Sequence, residues 1–281
     1  MRIAIQGGRA SFHDIAARQY FGGDIETISC QTFRDLCEVL QNGNADYAVM
    51  AIENAIAGSI LHNYALVQNY DFGIIGEIQL RIELNLMALP GTKIEDLKIV
   101  RSHYMALLQC ETFLSQYPHF KIEEYHDTAD SARDIRLNNQ ENVGAIAGRF
   151  AANLYELEVL AEGIETEKRN YTRFYILSRD KKHKVDDPGK ATISFQLPDK
   201  VGALADMLRV VVDNNINLTK IQSLPILGRP NEYTFYVDCE WNNYENFRKS
   251  IEIKRMVNNL KILGEYKKGE TIHDYSKGFP A

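Results

Sequence analysis

The sequence predicts an α/β protein in which two similar α/β lobes are followed by a smaller ferredoxin-like βαββαβ domain. Three observations carry this prediction. Short apolar strands alternate with amphipathic helices through residues 1–180, a charged linker follows, and residues 190–267 show the order βαββαβ. We take the elements in chain order below.

The first lobe is predicted from apolar strands and amphipathic helices in the βαβ order that is typical of parallel sheets. Its predicted elements are strand 2–6, helix 12–21, strand 26–29, helix 33–41, strand 47–52 and helix 61–70. The long alternation of apolar and polar residues over 73–89 then predicts further strands. Pro90-Gly91 predicts the turn that ends them.

A second lobe repeats this order. Its predicted elements are strand 98–101, helix 103–116, strand 121–125, helix 129–137, strand 142–146 and helix 148–155. The aromatic and β-branched stretch 171–177 predicts one more strand. Two such lobes leave a cleft where strand ends and helix starts meet.

The rest of the chain predicts a linker, a second domain and a tail. Lys181–Gly189 is charged and ends in Pro-Gly, which indicates a linker. Residues 268–281 show no periodicity. We therefore expect a first domain over 1–180, a linker over 181–189, a second domain over 190–267 and a tail over 268–281.

Composition excludes several classes of protein. The 32 basic and 38 acidic residues give a net charge of −6, which argues against a nucleic-acid-binding or membrane-binding surface. No apolar run approaches the roughly 20 residues that span a bilayer, and Met1-Arg2 leads directly into a strand, so we expect a cytoplasmic protein without a signal peptide.

The 4 cysteines and 7 histidines form no metal-binding spacing, so we expect reduced thiols and no metal. Gly7-Gly8 lacks the third glycine of a dinucleotide motif, and we expect no cofactor.

Four strand-to-helix junctions carry polar residues that we expect to face the cleft. They are Gly7–Phe12, Glu53–Ser59, Ser102-His103 and Asp127–Ala129. Each polar residue alone is an ordinary helix N-cap, worth about 1 kcal/mol. Several helix N-termini that converge on one cleft also supply unpaired N–H groups, so the pattern predicts a site for a small carboxylate.

The strand that begins near Tyr171 carries a second polar group. Because side chains alternate across a strand, Asn170, Thr172 and Phe174 are predicted to share one face while Arg173 points to the other. Gln109 lies nearly two helical turns after Ser102 and is either a cleft residue or a solvated helix residue. The segment alone leaves open whether its polar residues form a site or a solvated strand end.

Together these motifs resemble those of monofunctional prephenate dehydratases. In that family a two-lobed, periplasmic-binding-protein-like catalytic domain precedes an ACT regulatory domain. The resemblance covers nearly the whole chain, and its most specific motif is Asn170-Tyr171-Thr172-Arg173-Phe174. In the second domain, Gly202-Ala203-Leu204 and Ile216–Pro225 resemble the two effector-binding motifs of the family.

The chain also departs from the family pattern. Gly8, Ala55 and Tyr104 stand where the family usually has Pro, Ser and Pro, which affects the positioning of those loops. The chain begins on the first strand, so we expect none of the chorismate mutase helices that precede the dehydratase in fused members.

The resemblance implies a carbon–oxygen lyase that converts prephenate to phenylpyruvate, with loss of carbon dioxide, in L-phenylalanine biosynthesis. It assigns Thr172 as the catalytic residue, whose hydrogen bond to the departing hydroxyl strengthens as charge develops. Arg173 either pairs with a substrate carboxylate or braces the strand from behind. Asp127 either caps its helix, which we favour, or acts in the site. The implied substrate-binding residues are Asn54, Ser102, Gln109, Asn170, Arg173 and Phe174.

The resemblance further implies feedback inhibition by L-phenylalanine, bound between regulatory domains of a homodimer or homotetramer. Gly202 at a helix start lets backbone N–H groups approach a carboxylate, although a glycine that merely starts the helix is the alternative. Gln222 and Leu224 replace a usual Glu and Arg, so we expect weak inhibition. The implied effector-binding residues are Gly202, Ala203, Leu204, Gln222, Ser223, Leu224 and Pro225.

A two-lobed amino-acid sensor without chemistry is the alternative from another class, because the same architecture suits solute binding. Turnover of prephenate separates the two hypotheses. The sequence leaves open whether prephenate or its aminated analogue arogenate is preferred, and whether the assembly is a dimer or a tetramer.

Overall fold

The computed structural model describes residues 1–181, 183–226 and 228–274, which form three β-sheets with helices between the strands. The chain divides into two compact units. The first comprises Met1–Asn63, Ile78–Phe174 and the described residues from Thr271 onward. The second comprises Tyr64–Glu77 and Tyr175–Glu270.

The first sheet is built mainly from the N-terminal third of the chain. Its strands are β1 (Arg2–Gln6), β2 (Glu26–Cys30), β3 (Tyr47–Asn54), β4 (Gly58–Ser59), β5 (Gly73–Arg81), β11 (Tyr171–Ser178) and β16 (Thr271–Ile272). Their order is β16-β5-β11-β3-β1-β2, with β4 paired to β3. β1 lies parallel to β2 and β3, as the βαβ pattern predicts. β5 and β11 contribute residues to both units.

Helices follow the strands of the first sheet at the predicted places. They are α1 (Phe12–Phe21), α2 (Phe33–Gln41) and α3 (Leu61–Asn69). Thr32 caps α2 through a reciprocal pair of hydrogen bonds with Asp35, because its hydroxyl accepts from Asp35 N and its own N–H donates to the Asp35 carboxylate.

The second sheet lies in the first unit and has the order β10-β6-β9-β7-β8. Its strands are β6 (Asn85–Ala88), β7 (Ile99–His103), β8 (Lys121–Tyr125), β9 (Val143–Ala147) and β10 (Glu158–Ala161). Its helices are α4 (Tyr104–Gln109), α5 (Glu111–Leu114), α6 (Thr128–Leu137) and α7 (Arg149–Leu154), with a 3₁₀ turn at Ile94–Asp96. Small residues of α6, α7 and β9, such as Ala132, Ala145 and Ala151, are fully buried in its core.

The third sheet lies in the second unit and has the predicted ferredoxin-like topology. Its order is β13-β14-β12-β15, and each pair in it is antiparallel. Phe195, Met207 and Phe247 fill the core between this sheet and its helices. The elements are β12 (Lys190–Gln196), α8 (Ala203–Asp213), β13 (Asn217–Pro225), β14 (Tyr233–Glu240), α9 (Tyr244–Ser250), a 3₁₀ helix (Ile251–Arg255) and β15 (Asn258–Tyr266).

Residues on both sides of the predicted linker belong to this second unit. Lys190 forms a buried ion pair with Glu77, with 2.9 Å between Nζ and Oε1. The Tyr175 hydroxyl donates to Asp238 Oδ1 over 3.2 Å. The predicted linker of 181–189 therefore does not coincide with the division between the two units, and the domain boundaries stay a prediction. Lys182 within that linker lies outside the described residues.

Three local predictions differ from the structure. The predicted helix 103–116 is two short helices that meet at Cys110, where φ of −103° and ψ of 12° leave the helical range. β10 was not predicted, because a strand of four residues gives little periodic signal. Part of the predicted tail forms β16, which pairs in parallel with β5, while residues 275–281 lie outside the described residues. In the part of the chain that the structure describes, no helix is long and apolar enough to cross a bilayer.

Candidate active site

A cavity of about 570 Å³ lies in the first unit among the strand-to-helix junctions. All four junctions that the sequence predicts to face a cleft contribute to its wall, through Phe12, Asn54, His103 and Asp127 among others. That prediction is confirmed. A volume of this size is within the range of small-molecule sites, which is about 300–1,000 Å³.

Asp127 takes the capping role that the sequence analysis favours. Its Oδ1 accepts hydrogen bonds from Ala129 N over 2.8 Å and Asp130 N over 3.0 Å, so it caps α6, and it also lines the cavity. Burial raises the pKa of Asp127 to about 6. Gly7, at φ of +85°, lies against this carboxylate, and a Cβ there would come within 2.5 Å of Asp127 Oδ2. The junction after β1 therefore requires glycine at this position.

Three side-chain amides from distant parts of the chain form a hydrogen-bonded ring on one wall. Asn54 Nδ2 donates to Asn170 Oδ1 over 2.8 Å, and Asn170 Nδ2 donates to Gln109 Oε1 over 2.9 Å. Gln109 Nε2 closes the ring on Asn54 Oδ1 over 3.3 Å. The Asn54 oxygen also accepts from the backbone N–H groups of Ile56 and Ala57. These bonds fix the orientation of all three amides.

The ring determines how the Thr172 hydroxyl is used. Asn54 Nδ2 also donates to Thr172 Oγ1 over 3.0 Å, so the hydroxyl oxygen acts as an acceptor. Its hydrogen has no acceptor among the described residues, and Thr172 lines the cavity. Thr172 can therefore donate a hydrogen bond to a bound ligand. Gln109 also lines the cavity, and one hydrogen of its Nε2 has no acceptor in the described part of the chain.

The predicted alternation along β11 is confirmed for Thr172, Arg173 and Phe174. Thr172 and Phe174 line the cavity, whereas Arg173 lies on the other face, where its Nε donates to Glu53 Oε1 over 2.7 Å. Arg173 is 6% exposed, and this ion pair corresponds to the bracing role rather than to a ligand contact.

Two further predicted substrate contacts also lie behind the wall. Ser102 is fully buried, and its hydroxyl donates to Ile146 O over 2.5 Å, which joins β7 to β9. Asn170 is fully buried within the amide ring. Neither of them borders the cavity. This corrects the predicted set, because a spacing along the chain does not reveal which side of a wall a side chain occupies.

The sequence interpretation missed His13, the second residue of α1. His13 lines the cavity, is 8% exposed, and stands edge-on to Phe174 with 5.0 Å between ring centroids. Its Nε2 accepts a hydrogen bond from Ala51 N over 3.3 Å. Burial lowers the pKa of His13 to about 3, so the ring is neutral at physiological pH. The signal was available, since His13 directly follows the first cleft-facing junction.

The charged residues on the cavity wall are few. Arg34 lines the cavity at an exposed position, and Asp127 is the one carboxylate among the described lining residues. Burial also lowers the pKa of His103. Cys110 is buried, and burial raises the pKa of its thiol to about 12, which makes it a poor nucleophile. Within the described residues, no group of three His, Cys, Asp or Glu side chains could hold a metal ion.

A second cavity, of about 560 Å³, lies in the second unit. The predicted effector residues Gly202, Ala203 and Leu204 line it. Gly202 caps α8 with a left-handed φ of +87°, and nothing lies within 4 Å of where its Cβ would be. The remaining predicted residues are on the edge strand β13 and do not line this cavity: Gln222, Ser223, Leu224 and Pro225.

The sequence matches two family models in succession. Residues 3–182 match the model for prephenate dehydratase, and residues 191–240 match the model for the ACT domain. Among related proteins, the bifunctional chorismate mutase/prephenate dehydratase of Enterobacter agglomerans is 35% identical over 94% of this chain and 70% of that protein. Arogenate dehydratase 2 of Petunia hybrida is 35% identical over 95% of this chain and 71% of that protein.

Two solved structures have the same fold over nearly the whole chain. Prephenate dehydratase from Arthrobacter aurescens, in complex with L-Phe, is 26% identical, with a TM-score of 0.83 over 95% of this chain and 90% of that one. A protein described as a novel type of quorum quenching acylase, GqqA, is 28% identical, with a TM-score of 0.84 over 95% of this chain and 98% of that one.

Proposed function

This chain belongs to the prephenate dehydratase family, and we propose that Thr172 is the residue that assists the departing hydroxide in the reaction of that family. The reaction removes carbon dioxide and hydroxide from prephenate and gives phenylpyruvate. Formation of the aromatic ring supplies the driving force. The protein therefore has to help the hydroxide leave and to hold the substrate carboxylates in place.

The hydrogen bond from Asn54 to Thr172 is the observation that carries this proposal. Because the Thr172 oxygen accepts from Asn54 Nδ2, its hydrogen is directed toward another acceptor, and the cavity is the space that Thr172 borders. A threonine hydroxyl does not titrate near neutral pH. It acts as a hydrogen-bond donor whose bond strengthens as negative charge develops on the leaving oxygen.

The expected size of this contribution is substantial. Positioned proton donation typically accelerates a reaction by about 10²–10⁴-fold. In free energy this corresponds to roughly 3–5 kcal/mol of transition-state stabilisation. We assign Asn54 and Asn170 to positioning of the hydroxyl rather than to ligand contact, because their amides are held within the ring.

Substrate carboxylates have two kinds of partner in this cavity. Arg34 supplies a guanidinium at an exposed point of the wall, and the N-terminus of α1, which begins at Phe12 on the wall, supplies a positive dipole end. Gln109 adds a neutral donor next to Thr172. Phe174 offers an apolar surface for the substrate ring.

The direct test is turnover. Purified protein is incubated with prephenate, and phenylpyruvate is followed by its absorbance in alkali. We expect product formation that Thr172→Ala lowers by at least about a hundredfold and Thr172→Ser keeps in part. Binding of prephenate, seen as a shift in melting temperature, without any product would instead support the sensor hypothesis.

We propose that the cavity of the second unit is part of a site for L-phenylalanine. The L-Phe complex of the Arthrobacter aurescens relative and the match to the ACT model support this assignment. Gly202 leaves the N-terminus of α8 open to a carboxylate, Asp199 borders the cavity as a partner for the ammonium group, and Phe235 offers an apolar wall.

The other wall of the effector site would come from β13 of a second copy of the chain. β13 is an edge strand, and the alternate residues Asn217, Thr219, Ile221, Ser223 and Pro225 along it are exposed. An exposed edge of this kind is a surface for pairing between subunits. This supports a homodimer or homotetramer in which Gln222–Pro225 complete the site.

The domain boundary and the location of the protein complete the proposal. We place the boundary between the catalytic and regulatory domains in the linker 181–189, because the two family models leave residues 183–190 between them. A cytoplasmic location agrees with the 4 cysteines being free thiols.

A further inference from the structure

His13 occupies a place in the catalytic cavity that none of the motifs assigned above explains. It lies in the first turn of α1 and borders the same cavity as Thr172 and Phe174. Its ring is held on two sides by aromatic neighbours, Phe174 at 5.0 Å and Phe33 at 5.6 Å between centroids. The imidazole is therefore fixed in place before a ligand arrives.

The backbone of β3 determines which nitrogen of His13 carries the hydrogen. Ala51 N–H donates to Nε2, so Nε2 must present a lone pair. In a neutral imidazole the single hydrogen then lies on Nδ1. Nδ1 has no hydrogen-bond partner among the described residues. It is also not one of the side-chain nitrogen and oxygen atoms that are both without a partner and fully shielded from solvent. His13 thus offers one uncharged donor and no acceptor.

A donor of this kind discriminates between the two substrates that the relatives act on. Prephenate and arogenate differ only at the side-chain carbon that bears a keto oxygen in the first and an ammonium group in the second. A keto oxygen accepts a hydrogen bond from Nδ1–H. An ammonium group is itself a donor, and its charge is costly to bury beside an uncharged ring.

The position of Arg34 favours the same arrangement, and Asp127, the carboxylate on the described wall, uses its Oδ1 to accept hydrogen bonds from Ala129 N and Asp130 N at the start of α6. Arg34 lies at an exposed position, so a substrate carboxylate is bound most favourably there. The keto group is neutral, and placing it against the buried His13 therefore carries a smaller desolvation penalty than placing a charged group there. We propose that His13 is a specificity-determining residue, whose Nδ1–H donates a hydrogen bond to the keto oxygen of prephenate and so selects prephenate over arogenate. This inference rests on the proposed function.

The test uses two variants, each of which keeps one of the two hydrogen-bonding functions of the imidazole, the acceptor at Nε2 or the donor at Nδ1. In His13→Gln the side-chain oxygen can still accept from Ala51 N–H, but no donor remains at the position of Nδ1. In His13→Asn the amide can still donate near the position of Nδ1, but the bond to Ala51 is lost. kcat/KM is measured for prephenate and for arogenate with both variants and with the wild-type protein, and melting temperatures confirm folding.

We expect the wild-type protein to prefer prephenate and His13→Gln to lower kcat/KM for prephenate by about tenfold, with arogenate changed by less than about twofold. His13→Asn should keep the preference for prephenate. The inhibition constant of phenylpyruvate, which retains the keto group, should rise in His13→Gln but not in His13→Asn.

The proposal and the family activity fail in different ways. If the wild-type protein prefers arogenate, or if His13→Gln lowers kcat/KM for both substrates by the same factor, the role of His13 is wrong while the dehydratase activity stands. If the wild-type protein converts neither substrate, the proposed function fails and this inference fails with it.

Discussion

The cavities of the two units have nearly the same volume, about 570 Å³ and about 560 Å³, but their walls are built differently. In the first unit, hydrogen bonds between residues far apart in sequence hold the polar groups of the wall. In the second, Gly202 leaves open space, and the predicted residues of β13 are not on the wall. We therefore propose that catalysis uses a preorganised site within one chain, whereas effector binding uses a site that a second chain completes.

Among substitutions in the preorganised site, those at Thr172 should have the largest effect on kcat. We expect Thr172→Ala to lower kcat by at least about a hundredfold with a much smaller change in KM, because the contact is made mainly in the transition state. Thr172→Ser keeps the hydroxyl and should retain part of the activity. An alanine variant with most of the wild-type kcat would remove Thr172 from the mechanism.

Burial of Asp127 in the first cavity should be visible as a pH dependence of stability. Its pKa of about 6 in the folded protein lies above the ordinary aspartate value of 3.8, so its contribution to stability is present below the lower value and is lost as pH rises through about 6. Asp127→Asn keeps an N-cap without a charge. Relative to wild type, the variant should gain roughly 1–2 kcal/mol in free energy of unfolding between about pH 5 and pH 8.

Denaturant titrations at the two pH values measure this gain. Glu167→Gln is the matched control, because it removes an exposed carboxylate of the same unit whose pKa is lowered by the hydrogen bond from Arg169 N and which therefore does not titrate in this range. A difference between Asp127→Asn and wild type that stays constant with pH would show that the carboxylate is not held in a burial-shifted state.

The open site of the second unit is tested at Gly202. We expect Gly202→Leu to weaken L-phenylalanine binding at least about tenfold, because the leucine side chain would fill the open space at the N-terminus of α8. The backbone at this position has a left-handed φ of +87°, which a leucine adopts only with strain. Titration calorimetry measures the affinity, and circular dichroism establishes that the variant is folded. Equal affinity in both proteins would exclude this cavity as the effector site.

The smallest effect is expected at Ser102, which lies behind the catalytic wall. Ser102→Ala removes the bond to Ile146 O and should cost about 1 kcal/mol of stability, while kcat/KM changes by less than about threefold. Thermal denaturation and steady-state kinetics give the two numbers. A tenfold loss of kcat/KM with unchanged stability would restore Ser102 as a substrate contact.

The sequence was sufficient for the elements whose signal is local. The apolar run around Ile3-Ala4-Ile5 and the cap at Asp127 were recognised from neighbouring residues, and the alternation from Asn170 to Phe174 separated Thr172 from Arg173 correctly. These predictions need only the periodicity of a strand or the start of a helix.

The parts that the sequence missed depend on contacts between distant residues. The bond from Ala51 to His13 spans 38 positions, and the bond from Asn54 to Asn170 spans 116. No spacing rule brings such pairs together, so the hydrogen bond that sets the tautomer of His13 and the bonds on which the proposed role of Asn54 rests could be found only in the fold. β16 was missed for the same reason, because Thr271 and Ile272 form a strand only against β5.

A double-mutant cycle between Asn54 and Thr172 tests most directly whether the amide ring acts by orienting the hydroxyl. We expect Asn54→Ala to lower kcat by at least about tenfold in the wild-type protein but by no more than about twofold in the Thr172→Ala background, because only an existing hydroxyl can be oriented. If Asn54→Ala lowers kcat by the same factor in both backgrounds, Asn54 acts independently of Thr172 and the account is wrong.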